Sequence, residues 1–221
     1  MDAPVSPPAR QARANATAAR LLEEAGKLFA EKGYDRTTSA EICRRAGTNI
    51  AAVNYHFSNL ENLYRKVVSE AHFRLMNGKA LAEATSGDKS AEERLRDVIA
   101  LFVKAAPLKG GGGKTFGTWP FRLLSREIVS PSPAFAALRE QDILPKSDHL
   151  RGLVASLLGR STDDPLVSRG MFFVVSPCLL LVLMDRATRE RVFPHVAESA
   201  DDFVETLYRF VLAGLRSVVG K

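Results

Sequence analysis

The chain has 221 residues, 46% of them hydrophobic, 8% aromatic and 25% charged, a make-up that fits a globular protein of one or two domains. It excludes a disordered polymer, a collagen-like repeat and a multi-pass membrane protein. Lysine and arginine number 31 against 25 acidic residues, a formal charge of +6. Residues 1–76 hold 11 basic and 8 acidic side chains, so the surplus is spread out and does not by itself assign a nucleic-acid partner.

In chain order, residues 1–14 are rich in Pro and Ala and carry Arg10 and Arg13, which reads as a flexible arm. They contain no apolar core of the kind a secretion signal has. From about Asn15 to Lys32, Leu21, Leu22, Ala25, Leu28 and Phe29 recur at helical spacing, and Gly33 is placed to end that helix. Gly26 inside it is a local conflict, about 1 kcal/mol worse than Ala. Thr38 to Glu41 has the S/T-x-x-E spacing of a capping box and opens a short helix to Arg45 or Ala46. Gly47 marks a turn, and Thr48 or Asn49 can cap a third helix ending at Tyr55 or His56. Ser58 to Glu61 is a second capping box, starting a helix that could reach Ala84 with Leu63, Val67, Ala71 and Leu75 on its apolar side.

Helical spacing continues over 91–106, 115–129, 134–144, 147–158, 165–186 and 199–219, with breaks at Pro107, Gly110–Gly113 and Ser130–Pro133. No segment alternates with a period of two, so the fold class is all-α. The apolar run Met171–Met184 is too short for a bilayer, which needs about 20 residues, and contains Pro177. It reads as a buried helix, and no membrane association is expected.

Two cysteines, Cys43 and Cys178, form no disulfide framework, which points to a reducing, cytoplasmic setting. His56, His72, His149 and His195 show no metal-ligand spacing, so no metal and no cofactor are expected. Gly110 to Thr115 has some likeness to a phosphate-binding loop, but Leu108 stands where that pattern needs glycine, and a helix, not a strand, precedes it. No Ser/His/Asp set or paired carboxylates stand out, and an enzyme is not expected.

The two short helices around Gly47 have the form of a helix-turn-helix. Ile42, Ala46, Val53 and Phe57 turn inward to meet Leu28, Phe29 and Tyr34. Asn49, Ala52, Asn54, Tyr55 and His56 then occupy the opposite face. Small residues there permit close approach to a major groove, and Asn54 has the donor and acceptor to pair with adenine. Tyr55, His56, Arg44, Arg45 and the helix start at Thr38 suit phosphate contacts.

The stretch Leu22–Tyr34, with Thr37, Thr38, Glu41, Ile42, Ala46, Gly47, Val53–Phe57 and Glu61–Leu63, closely resembles the DNA-binding domain of TetR-family transcriptional regulators. The resemblance covers about residues 17–70. It implies a helix-turn-helix domain over 15–62 after an arm of 1–14, and a helical effector-binding and dimerisation domain over 63–221. It implies a homodimer on a palindromic double-stranded operator, with release by a small molecule that favours a wider spacing of the reading helices. Carried over by position, the DNA-facing residues are Thr38, Ser39, Asn49, Ala52, Asn54, Tyr55 and His56. Three positions depart from the family pattern: Ile50 where a polar or basic residue is common, Asn54 where Tyr is common, and Leu60 for a frequent Lys. Base preference therefore cannot be copied from relatives, and Arg44, Arg45, Arg65 or Lys66 would have to replace a phosphate contact.

For the C-terminal domain, Phe102, Phe116, Trp119, Phe121, Leu123, Phe135 and Phe172 are candidate pocket walls. Arg122, Arg126 and Glu127 are candidate orienting groups for an apolar or amphipathic effector. The apolar stripes of the last two long helices supply the expected dimer interface: Phe172, Val175, Leu179, Val182, Leu183, Phe203, Leu207, Phe210, Val211 and Leu215. Two other readings are a nucleotide-dependent enzyme using Gly110–Thr115 and a small-molecule-binding protein that lacks DNA binding.

Overall fold

A computed structural model describes residues 7–75, 78–106, 119–184 and 186–219. Every regular element among them is helical, and none of these helices is long and apolar enough to cross a membrane. Contacts divide the chain into two compact units, Met1–His72 with Thr118–Ala136, and Phe73–Gly117 with Ala137–Lys221.

In the first unit, α1 (Pro7–Lys32) starts earlier than the expected arm allows. Residues 7–14 are helical because Ala, Gln and Arg dominate after prolines that a first helical turn tolerates; residues 1–6 lie outside the described residues. Leu21, Ala25, Leu28 and Phe29 form a fully buried stripe. Gly33 closes the helix at φ +84°, its N–H donating to Phe29 O at 2.9 Å. α2 (Ser39–Arg45), α3 (Ala52–Phe57) and α4 (Leu60–Leu75) follow.

α4 through His72 and α7 (Trp119–Val129) group with these first helices, so the compact unit is larger than residues 15–62. The reason is packing. α4 buries Leu63, Tyr64, Val67, Val68 and Ala71, with Tyr64 edge-on to Phe29 at 4.7 Å, and α7 lies along α1. There Trp119 occupies the space that Gly26 leaves open. A Cβ on Gly26 would sit 2.6 Å from Trp119 Cε2, and the indole N–H donates to Glu23 Oε1 at 2.8 Å. The glycine that looked like a propensity conflict is thus a packing requirement.

In the second unit, α5 (Gly78–Thr85), α6 (Ala91–Ala105), α9 (Leu144–Leu158), α10 (Pro165–Leu183) and α12 (Ala200–Val219) share one core. α6 opens with a full capping box between Ser90 and Glu93. Ion pairs Arg96–Glu205 (3.0 Å), Lys104–Asp201 (2.9 Å) and Arg216–Glu92 bind its flank to α12. The two helices expected over 134–144 and 147–158 follow one another without a break in the helical backbone. α8 (Pro133–Leu138) passes through a π turn at Arg139–Ile143 into α9. The Leu144 N–H reaches back five residues to Arg139 O just before Pro145, which has no N–H to continue the ordinary pattern. α11 (Arg186–Val192) and a 3-10 turn at Pro194–Ala197 have no apolar periodicity and went unanticipated.

Gly26→Ala should therefore lower stability by about 1–3 kcal/mol, as overpacking does. This reverses the gain that alanine gives in an open helix. Urea unfolding of the two proteins reads the sign directly.

Candidate nucleic-acid interface

The reading face is built from the turn that leaves α1. Thr37, 3% exposed, donates from Oγ1 to Gly33 O at 2.8 Å. Thr38 is extended (φ −114°, ψ 151°) and its Oγ1 accepts from Glu41 N at 3.3 Å, which caps α2. The expected capping box is only half made. The Glu41 carboxylate accepts from Lys32 Nζ at 2.5 Å, and this bond, aided by Lys32, Arg44 and Arg45 charge, holds it below the usual carboxylate range.

Behind the turn, Ile42, Cys43, Ala46 and Val53 are buried. The Thr48 N–H donates to Cys43 O at 2.9 Å, and Gly47 takes φ +61°. α3 begins at Ala52, later than the spacing predicted. Asn49 does not cap it as a helix residue; its Oδ1 accepts from Ala51 N at 2.9 Å, a side-chain turn that leads the backbone into the helix. Phe57 is only half-buried, so Val53 is the main anchor. Ser58 ends α3 at φ +69°, donating to Asn54 O at 3.0 Å. Because Ser58 is spent there, the second capping box fails, and Asn59 Oδ1 accepts from Asn62 N at 2.7 Å to start α4.

Among the nine residues expected to face DNA, Thr38, Arg44, Arg45, Asn49, Asn54 and Tyr55 are exposed, and Ser39, Ala52 and His56 are half-buried. Tyr55 is 76% exposed, with its ring edge-on to His56 at 4.8 Å. Arg44 lies 4.0 Å from Glu41 with most of its side chain exposed, and Arg45 pairs more closely with Glu31 at 3.3 Å. Ile50, one of the departures from the family pattern, is 63% exposed beside them. The backbone carbonyl of that residue accepts from Cys43 Sγ at 3.7 Å.

The residues expected to wall an effector pocket fall in both units. Trp119, Phe121 and Leu123 are buried in the first unit because α7 turns its apolar side to α1. Phe135 is half-buried and Arg122 exposed. Phe102 and Phe172 belong to the second unit, and Phe172 is 67% exposed. Phe116 and the Gly110–Thr115 loop lie outside the described residues. Arg126 and Glu127 line a cavity beside Gly33.

The interface set also divides. Leu207, Val211 and Leu215 are core residues of the second unit. Phe172 and Phe210 face outward, and Val175, Leu179 and Phe203 are half-buried; the side chains of Val182 and Leu183 lie outside the described residues. The stripe on α12 is wide because it serves both a core and an outer face. Cys178 is buried, which pushes its thiol up to about 12, and Cys43 is buried too; neither has the exposed thiolate of a redox sensor.

Glu127, expected as an orienting group for an effector, is instead a buried carboxylate with partners of its own. Glu127, 2% exposed, accepts from Tyr64 Oη, from Ser132 N at 2.9 Å and from Ser132 Oγ at 2.8 Å. Its sequence signal was weak, a lone acid on the apolar side of α7. Burial, then the bond to Glu127 and its charge, pushes the Tyr64 phenol above its ordinary value of 10.0. The phenol therefore stays protonated after tyrosines of the unfolded chain ionise, so its contribution is complete below about pH 10 and is lost above it. Tyr64→Phe should cost about 1–3 kcal/mol in urea unfolding at about pH 8. The gap from the parent protein should narrow above about pH 10; a gap that widens there would contradict the assignment.

Known proteins agree with this geometry. A family model described as bacterial regulatory proteins of the tetR family matches residues 21–67, and one described as the C-terminal domain of the HTH-type transcriptional dual regulator CecR matches residues 91–215. The HTH-type transcriptional dual regulator CecR of Shigella flexneri is 28% identical over 158 residues, 66% of this chain and 66% of that one. The biofilm operon icaADBC HTH-type negative transcriptional regulator IcaR of Staphylococcus epidermidis is 41% identical over 49 residues, 22% of this chain and 26% of that one. The chain thus spans less than two thirds of either relative's length. Among solved structures, the fatty acid degradation regulator FadR from Bacillus halodurans superposes with TM-score 0.62 at 13% identity, over 90% of this chain and 96% of that one. A tetR-family regulator from Rhodococcus RHA1 gives 0.61 at 23% identity, over 88% and 96%. Both share the fold.

Proposed function

We propose that this chain, which belongs to the TetR family of transcriptional regulators and carries a C-terminal domain of the CecR class, binds a palindromic operator as a homodimer and represses transcription until a small apolar or amphipathic effector binds. The observation that carries this reading is the division of α3. Val53 is buried behind it, while Asn54 and Tyr55 stand exposed in front. A helix held from one side and polar on the other is what major-groove readout requires.

Asn54 is the base-reading residue in this proposal, with Ala52 allowing close approach and Thr38, Ser39, Asn49, Arg44, Arg45, Tyr55 and His56 placed for contacts to the backbone of the duplex. Arg44 carries most of the cationic contact, since its pair with Glu41 is longer, at 4.0 Å against 3.3 Å for Arg45 with Glu31, and its side chain is the more exposed of the two. The site of action is the cytoplasm, where the operator is.

Dimerisation is proposed through the outer faces of α10 and α12. Phe172 (67% exposed), Phe173 (59%), Leu180 (54%) and Phe210 (77%) present more apolar surface than a lone subunit usually leaves in water. A second copy would cover it and set two reading helices one duplex turn apart. The effector's place is the second unit, and release follows if it favours the state with wider-spaced helices, by a coupling typically of about 1–3 kcal/mol.

Selection from random duplexes should enrich an inverted repeat. Asn54→Ala should weaken binding to that sequence by about 1–3 kcal/mol while leaving the salt dependence set by phosphate contacts in place. No enrichment would favour a small-molecule binder without DNA binding. Phe210→Glu should convert the dimer to monomer in sedimentation at micromolar concentration; an unchanged dimer would place the interface elsewhere.

A further inference from the structure

The first unit holds a cavity of about 890 Å3, lined by none of the residues expected to face DNA, between the end of α1, the turn into α2, the start of α4 and the α7–α8 junction. Its cations are Lys32, Arg36, Arg65 and Arg126, and its carboxylates are Asp35, Glu61 and Glu127. Most of these charges already have partners. Arg65 pairs with Glu61 at 2.7 Å and Lys32 with Glu41 at 2.5 Å. Glu127 is occupied by Tyr64 and Ser132.

Arg36 and Arg126 remain. The Arg36 Nε donates to Lys32 O at 3.0 Å, and the Arg126 guanidinium to Phe29 O at 3.3 Å. A carbonyl uses one of five donors and cancels no charge. Both residues line the cavity beside Gly33: Arg126 Nη1 lies 2.9 Å from where a Cβ on Gly33 would be, and Arg36 is bonded to the carbonyl of Lys32, the residue before that glycine. The rest of the wall is apolar or aromatic: Tyr34, Pro131, Pro133 and Ala134. Asp35, exposed on the rim, sets a like charge against a second anionic group on any ligand. The volume lies within the range of small-molecule sites, roughly 300–1,000 Å3.

We propose that this cavity binds a small organic monocarboxylate, its carboxylate held by Arg36 and Arg126 and its apolar body against Tyr34 and the 131–134 segment. Planar guanidinium groups match carboxylate geometry. The apolar wall separates such a ligand from inorganic anions, and Asp35 disfavours a polyanion.

The test is a titration of the full-length 15N-labelled protein with benzoate and hexanoate, with inorganic phosphate in parallel at constant ionic strength. At least one of the two acids should shift the amides of Gly33–Arg36 and of Ser130, Ser132 and Ala134 saturably. Arg126→Gln and Arg36→Gln should each weaken that binding by on the order of tenfold, and Arg209→Gln should leave it unchanged. If Arg126→Gln proves unstable because Phe29 O is left with the Gly33 N–H alone, the exposed Arg36→Gln decides. Absence of saturable shifts with both acids, unchanged affinity in Arg36→Gln, or equal binding of phosphate would overturn the proposal. The readout uses no DNA, so its outcome is separate from the success or failure of the regulator reading.

Discussion

The anchoring of α3 from behind is the constraint on which the reading face depends. A helix of six residues has too few internal hydrogen bonds to offset its own nucleation cost in water. It persists because Val53 is fully buried with Ile42, Cys43 and Ala46 at its back. The joints are also determined at both ends. Asn49 bonds the Ala51 N–H on entry, and Ser58 leaves through positive φ on exit. With position and exits fixed, the sequence is free to place polar side chains on the outer face at little cost in stability.

The same logic extends through the first unit. α4 continues from Asn59 and buries Tyr64 against Phe29, while Tyr64 also donates into the buried Glu127 of α7. A carboxylate taken out of water costs several kcal/mol unless its lone pairs are filled, and here three donors fill them. Directional bonds of this kind specify one arrangement of α4 and α7, where apolar contacts alone would tolerate small slips. Trp119 in the notch at Gly26 adds a steric key of similar effect between α7 and α1. Helices distant in sequence are thereby registered to the element that carries the helix-turn-helix.

Much of this was legible in the sequence where a local rule has a local cause. The stripe Leu21, Ala25, Leu28 and Phe29, the stop at Gly33, the cap at Thr38 and the Gly47 turn all appear as read, as does the outward placement of Asn54 and Tyr55. Misreadings arose where two rules competed for one residue. Ser58 could cap α4 or end α3, and the structure spends it on α3. The apolar side of α7 could line a ligand cavity or pack on α1, and it packs on α1. Leu207, Val211 and Leu215 could serve a partner or their own core, and they serve the core. The Glu127 network and the cavity beside Gly33 were hidden because each joins α4 to residues more than 60 positions further along the chain, beyond the reach of spacing arguments.

The most direct test of the anchoring claim is amide hydrogen exchange on the protein without DNA, read at Tyr55 and Ser58, whose N–H groups donate to Ala51 O and Asn54 O. Protection comparable to that of the buried amides of α1 and α4 is the result this account predicts. Exchange at the rate of an unstructured peptide would mean that α3 forms only on its target, and that the buried Val53 does not hold it in place.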